Sequence, residues 1–480
     1  VALQTGTGLP RIFVEESTWH DWWMDFLKKI KQSQQEATVR RATRRKQSQF
    51  MCDLLTGELV TPQPTHDKIR GLADIGGLPT GDVLAGFDKE AFTSFGLEQS
   101  ANAAMSAENV KVYVTAFNHL IAKRSRRLAS PKHGTGAKVA YWYSGSVPEE
   151  LDPAQDILGE LAEAPARKTK SKQGVSAQET YQAESRAAKA LDAIRTGERP
   201  DLENLRYYAI TLSANKGRVI VRDWMEGNFR ELVENVNAWF DDLSIVGQFG
   251  KGIIKSFKLV KLLEATAREP SDVQAPVAAA LWRCALKRMP IPYEVMAQTL
   301  KRVHVDIVTT DKDKKSLNSN LNHNRFALLK AFTIRCERVP SMTAELNEHE
   351  THPAYLCGRI MALLGSIQRE ALGEVGAGVV QRYYAAASAT PALVLGRLIR
   401  TAQIAHLPKI QKERLRYWFE NQLAELWSKM KEAPPRTLTL EEQTLFAMGY
   451  YHQLATRLKK DTSDSPEDQP ESLESEVSRG

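Results

Sequence analysis

The chain has 480 residues, a hydrophobic fraction of 42% and a formal net charge of +7. That length holds two or three domains with real cores, and no apolar run approaches the roughly 20 residues of a membrane helix. The charge is uneven: Asp461 to Gly480 carries seven acids and one base, and taking this net −6 out of the total of +7 leaves +13 on the body.

A body this basic points to a polyanionic partner, most often nucleic acid. The four cysteines, Cys52, Cys284, Cys336 and Cys357, are widely separated. Neither a disulfide framework nor a zinc pattern has that spacing. A reduced cytoplasm is expected, with the thiols as small core groups. The first residue is Val1, and no signal-peptide pattern follows it.

Residues 1–20 read as irregular. Trp19 to Ile30 reads as a helix with Trp22, Trp23, Phe26, Leu27 and Ile30 on its apolar side. A basic block follows, Lys28, Lys29, Lys31, Arg40, Arg41, Arg44, Arg45 and Lys46, suited either to solvent or to tracking phosphates. Residues 52–106 are rich in Gly and Pro, but no phosphate-binding P-loop is among them, which excludes that mode of ATP binding. Ser106 to Arg127 is expected to be a helix capped by the Ser106 hydroxyl. It would close on Lys123, Arg124, Arg126 and Arg127, whose charges complement the helix dipole.

Val139 to Tyr143 reads as a buried strand, and residues 163–186 as a linker or exposed helix. Tyr207 to Leu212 and Arg218 to Trp224 flank an Asn/Gly turn and make a hairpin, with Arg218 and Arg222 on one face. Phe229 to Leu243 is a helix with Leu232, Val236, Trp239 and Phe240 inward. Strands mixed with helices make residues 1–265 an α+β domain.

From Gly250 the pattern turns helical. Lys251, Lys255, Lys258 and Lys261 fall on one arc opposite Ile253, Phe257 and Val260, either a solvated face or a phosphate contact. Residues 266–345 form a helical connector with helices near 273–288 and 293–304, a polar loop at 309–324, and a basic helix from Asn324 to Arg338 that carries Arg325, Lys330, Arg335 and Arg338. Residues 346–460 read as an antiparallel helical bundle. His352 to Arg359 opens it and Phe446 to Gln453 closes it. Within it Thr390-Pro391 starts a helix, Thr439 to Glu442 is a capping box, and Arg397, Arg400, His406, Lys409, Lys412, Arg414 and Arg416 form a basic cluster. Residues 461–480 are an acidic tail, expected to be disordered. The expected fold is therefore an α+β N-terminal region followed by a mostly α-helical region that ends in the bundle.

No nucleophile motif or metalloprotease signature is present, and no cofactor is implied. His349 and His352 with Glu348 and Glu350, the pair His66-Asp67, and Asp241-Asp242 do not complete a metal set. The residues alone describe a binding protein rather than a catalyst.

Several phrases occur together and in order: Cys52 with Thr56-Gly57-Glu58; Gln99 with Asn102-Ala103 and Ser106; Tyr207-Tyr208, Arg218, Val221-Arg222 and Trp224; Arg325 with Lys330-Ala331 and Arg335; His352 to Arg359; Arg382-Tyr383-Tyr384; and Gly449 to Gln453. This set resembles the large subunit of the type I-C CRISPR interference complex (the Csd-type Cascade protein) from about residue 52 to 455. The chain departs from the family at Leu84 to Asp88, at Phe95 and at Ala104-Met105, and the family usually has more sequence ahead of this start.

The resemblance implies a non-catalytic subunit of a guide-RNA-bound complex. It would recognise a short flanking motif in duplex DNA, help open the duplex, hold the displaced strand and offer a docking surface to the helicase-nuclease. Its neighbours would be target DNA, guide RNA, a repeated backbone subunit, a guide-processing endonuclease subunit and small subunits made from an internal start, with Met342 and Met361 as candidates. No membrane partner is implied. Gln99 and Asn102 are amides suited either to base edges or to stitching the loop to its own backbone. Lys251, Lys255, Lys258, Arg325 and Lys330, with Arg218 and Arg222, are the expected nucleic-acid contacts. Two other classes stay open: a subunit that only bridges other proteins, and a metal nuclease using His66, Asp67 and the later histidines.

Overall fold

The structure is a computed structural model that describes residues 17–42, 50–93, 97–130, 136–158, 185–247, 252–255, 257–308, 321–336, 342–373 and 377–463. The linker at 163–184, most of the polar loop at 309–324 and the tail from 464 fall outside the described residues. The chain forms two compact units, Val1–Asp67 with Ala85–Tyr113, and Lys68–Leu84 with Val114–Gly480.

In the first unit, helix α1 spans Ser17–Ala42. It is longer than its apolar pattern predicts, and that pattern is not buried: Trp22, Trp23 and Phe26 are exposed and cover one another, with Trp22 stacked on Phe26 at 5.1 Å. Strands β1 (Met51–Cys52) and β2 (Leu59–Val60) form a small hairpin. Asp53 ties its turn to the segment ahead of α2 (Ala107–Lys123), whose first turns also belong here. The Asp53 carboxylate accepts from the amides of Leu55 at 2.8 Å and Ser106 at 2.7 Å, and from the Asn109 side chain at 2.9 Å. These donors, Ser106 first, hold its pKa down to about 2. Ser106 caps α2 as its position predicts, its hydroxyl accepting from Asn109 N at 3.2 Å.

In the second unit α2 stops at Lys123, short of the expected Arg127, because the next residues pair with another strand. Strand β3 (Ser125–Ala129) lies along β4 (Ala137–Tyr143), with Arg126 opposite Val139 and Arg127 opposite Lys138. Helices α3 (Pro153–Leu158), α4 (Ser185–Arg195) and α5 (Pro200–Glu203) precede the long hairpin of β5 (Arg206–Asn215) and β6 (Arg218–Asn228). All four strands are antiparallel in the order β3-β4-β5-β6. The turn at Lys216-Gly217 places both residues at positive φ, the geometry that matches the twist of a two-residue hairpin.

Helix α6 (Phe229–Leu243) follows as its apolar period predicts, with Leu232, Val236, Trp239 and Phe240 buried. A short hairpin, β7 (Ile245–Val246) with β8 (Ile253–Ile254), leads to α7 (Leu259–Thr266), α8 (Ala275–Lys287), α9 (Tyr293–Val308) and α10 (His323–Arg335). The bundle helices are α11 (Pro353–Leu372), α12 (Val379–Ala389), α13 (Pro391–Thr401), α14 (Glu413–Lys429) and α15 (Leu440–Ser463). One core runs from Leu128 on the sheet to Ala455 in α15. A smaller one, with Ile69, Leu72, Ile75 and Ile121, covers part of the opposite sheet face.

Candidate nucleic-acid interface

Gln99 and Asn102 lie on a single 3-10 turn, Gln99–Ala103, in the first unit. The turn is fastened at both ends: Ser100 N donates to Pro64 O at 3.3 Å and Leu54 N to Ala104 O at 2.9 Å. Gln99 is exposed and has a φ of +48°, a left-handed conformation that costs a residue with a Cβ about 1 kcal/mol. The Asn102 amide donates to Gln99 O at 3.2 Å, so one of its polar groups is spent on the turn. The Asn102 side chain is thus partly committed to the turn itself.

The lysine series does not form one helical arc. Lys251 lies outside the described residues. Lys255 follows β8, Lys258 is the N-cap of α7, and of the four only Lys261 is on the helix, where it pairs with Glu264 at 2.7 Å. The spacing misled because Ile253-Ile254 pairs with Ile245-Val246 as a strand. Lys255 and Lys258 are still exposed. Arg218 and Arg222 do not share a simple alternating face either. The register shifts between Leu212 opposite Val221 and Thr211 opposite Asp223, leaving Arg222 as the extra residue of a bulge. Arg222 is exposed, and its Nε donates to Ser213 Oγ at 3.1 Å.

Arg325 and Lys330 are interior groups. Lys330 is 2% exposed, and its ammonium donates to the carbonyls of Asp241 at 3.1 Å and Asp242 at 3.0 Å at the end of α6. Burial pulls its pKa down to about 8, against the opposing pull of the two aspartates. Arg325 pairs with Asp306 and donates to Ala265 O at 2.9 Å. Arg335 pairs with Asp242 at 2.7 Å and lies 4.9 Å over the Trp239 ring. A cation taken out of water is retained only where such partners replace its hydration. These basic residues of α10 therefore fasten helix ends together, and Arg325 and Lys330 leave the candidate surface.

Two of the candidate histidines, His66 and His352, have structural partners. His66 Nδ1 bonds the Tyr113 hydroxyl at 2.8 Å, and burial lowers its pKa. His352 caps α11, its Nδ1 accepting from Ala354 N at 3.2 Å. Among the described residues no group of three His, Cys, Asp or Glu is placed to hold a metal. The two bundle phrases meet face to face. Tyr355 bonds His452 Nδ1 at 2.9 Å and Arg359 Nε donates to Gln453 at 2.8 Å. Gly358 lies against the Phe446 carbonyl and Gly449 against the Tyr355 carbonyl. In the bundle's basic cluster, Arg397, Arg400, Lys409, Lys412 and Arg414 are exposed, whereas His406 is buried.

Sequence reading passed over one further set of residues. Trp142, Tyr208 and Trp224 lie on three neighbouring strands and touch one another. Tyr208 and Trp224 are visible as separate phrases, but only the strand register brings them together. No described helix is long and apolar enough to cross a membrane.

A family model described as CRISPR-associated protein (Cas_Csd1) matches residues 14–458. No curated protein matches the chain.

Proposed function

The chain belongs to the CRISPR-associated Csd1 family, and from this we infer that it serves as the non-catalytic large subunit of a guide-RNA-directed surveillance complex. In that role it reads the flanking motif in duplex DNA, promotes strand opening, holds the displaced strand and helps recruit the helicase-nuclease. The family match over 14–458 carries the reading. In such complexes the guide reads sequence by pairing, while protein reads a short flank and the geometry of the strands.

Gln99 and Asn102 are the proposed base readers: an exposed amide and a half-buried one on a turn that is fastened at both ends. Lys255, Lys258, Arg218 and Arg222 are the proposed phosphate contacts, and the bundle cluster around Arg397 and Lys412 is a further candidate. Small subunits from an internal start, a repeated backbone subunit and a guide-processing endonuclease subunit complete the proposed assembly.

The test is a gel-shift of guide-loaded complex with and without this chain, on duplexes with intact or scrambled flanks at two salt concentrations. Flank preference is expected to vanish without the chain. Asn102→Ala is expected to lower flank-dependent binding by about tenfold, the loss of one good base contact, and to spare non-specific binding. Flank preference that survives removal of the chain would assign it to bridging other subunits instead.

A further inference from the structure

The aromatic corner of the sheet has the features of a site. Tyr143, Tyr207 and Met225 point into the large core, so with the strand period of two their neighbours Trp142, Tyr208 and Trp224 occupy the opposite face. Trp142 and Tyr208 are direct cross-strand partners, and Trp224 is diagonal to Tyr208. Ring centroids are 5.5 Å apart for Trp142 and Tyr208, 5.6 Å for Trp142 and Trp224, and 6.1 Å for Tyr208 and Trp224.

Further along the same face, Ala140, Ile210, Leu212, Ala214 and Val219 are covered by Ile69, Leu72, Ile75 and Ile121. The cover extends to Trp142, which packs against this smaller core, and leaves Trp224 largely open. Trp224 is 50% exposed and Val221 beside it 45%, while Trp142 and Tyr208 are half-buried. Trp224, with the exposed parts of Trp142 and Tyr208 beside it, leaves a large apolar surface in water.

The surroundings are cationic. The Arg206 guanidinium lies 6.0 Å over the Tyr208 ring. A shallow concavity next to Trp142 is lined by His119 and Arg124, and Arg124 continues into exposed Lys123 and Arg127. The carboxylate on this corner, Glu226, is paired with Arg206 at 3.2 Å. Flat rings on a rigid sheet with guanidinium groups at their edge match unpaired bases on a phosphate backbone: the rings stack on base faces and the cations meet phosphates. A duplex offers no base faces, since they are stacked inside it. An acidic protein would match the rim, yet gains nothing specific from several rings side by side.

We propose that Trp142, Tyr208 and Trp224 form a base-stacking subsite for single-stranded DNA, with Arg206 and Arg124 on its phosphates. The subsite rests on the reading of the chain as the subunit that holds a displaced strand, and gives that strand a place.

The test is fluorescence anisotropy of the full chain with labelled oligothymidylate, the matching oligouridylate and a duplex, over a salt series. Trp224→Ala is expected to weaken oligothymidylate binding about tenfold, as the loss of one stacked base does, with an unchanged salt slope and unchanged duplex binding. Trp224→Phe is expected to keep most of the affinity, and the unfolding midpoint of both variants shows that the fold is intact. Wild-type binding to oligothymidylate that Trp224→Ala leaves unaltered, or weakens equally for the duplex, overturns the subsite but not the strand-holding role. Tighter, Trp224-dependent binding to oligouridylate overturns DNA as the occupant. Loss of co-purifying subunits with DNA binding intact makes the corner a protein interface. No binding of oligothymidylate by the wild type at low salt removes the strand-holding role itself, and the subsite with it.

Discussion

Lys330 shows how one side chain decides between surface and core. Its ammonium ends on two backbone carbonyls at the end of α6, that of Asp242 and that of Asp241, which also accepts from Ser244, so it acts as a C-terminal cap from inside the protein. The folded pKa of about 8 is below that of a free lysine. The unfolded chain therefore holds the proton more tightly, and stability contributed at this position rises as the pH rises from about 8 toward 10. Lys330→Met keeps the volume and removes the charge. It is expected to abolish that rise in denaturant midpoint and to lower stability at neutral pH by about 2 kcal/mol, because the buried Asp242 carbonyl loses its donor and the Asp241 carbonyl one of its donors. The salt slope of DNA binding is expected to stay the same. A smaller salt slope with no change in stability would return Lys330 to the phosphate-contact surface.

Among elements, the pairing of α11 with α15 is the closest. A methyl group at Gly358 would collide with the Phe446 carbonyl oxygen, and one at Gly449 with the Tyr355 carbonyl oxygen. The obstacle in both cases is backbone, which cannot rotate away as a side chain would. Gly449→Ala is expected to cost about 3 kcal/mol, the upper range for overpacking. Gly396 on α13 has nothing within 4 Å of the same added atom. There the identical substitution is expected to stabilise by somewhat under 1 kcal/mol through helix propensity. Denaturant midpoints of the two variants check this, and equal effects would mean that the helix crossing is not set by its glycines. The two phrases that contain these glycines are conspicuous in the sequence, as are the caps at Ser106 and Thr439 and the period of α6, because each is a local pattern. Strand β3, the β7–β8 hairpin and the bulge at Arg222 are not legible. They depend on which distant segment supplies the pairing edge, and a lysine every three or four residues looks the same in a solvated helix and in a hairpin that leads to one. The burial of Arg325 and Lys330 is hidden for a similar reason: the carbonyls they cap lie about 60 and 90 residues away.

At the scale of the whole molecule, the bundle is not a free-standing appendage. The Tyr451 hydroxyl on α15 donates to Val246 O at 2.8 Å, and its ring stacks on Phe326 of α10 at 4.1 Å. A small subunit made from an internal start would lose both contacts and expose that side of α15, the side on which a partner chain would be needed. The two candidate starts differ in what else they remove. Met342 precedes all of α11, whereas Met361 lies inside it. A chain from Met361 would lack Tyr355, Gly358 and Arg359 and would leave buried His452 and Gln453 without their partners. Buried polar groups stripped of partners cost about 1–3 kcal/mol each, and α11 would lose its first 8 of 20 residues, those before Met361. A short chain that co-purifies with the complex is therefore expected to begin at Met342, and its intact mass decides the matter. Replacing the Met342 codon with one for leucine should remove that chain and leave the full-length protein folded, since the two side chains are close in volume. A short chain whose mass places its start at Met361 would mean that the α11–α15 contact is dispensable for the small subunit.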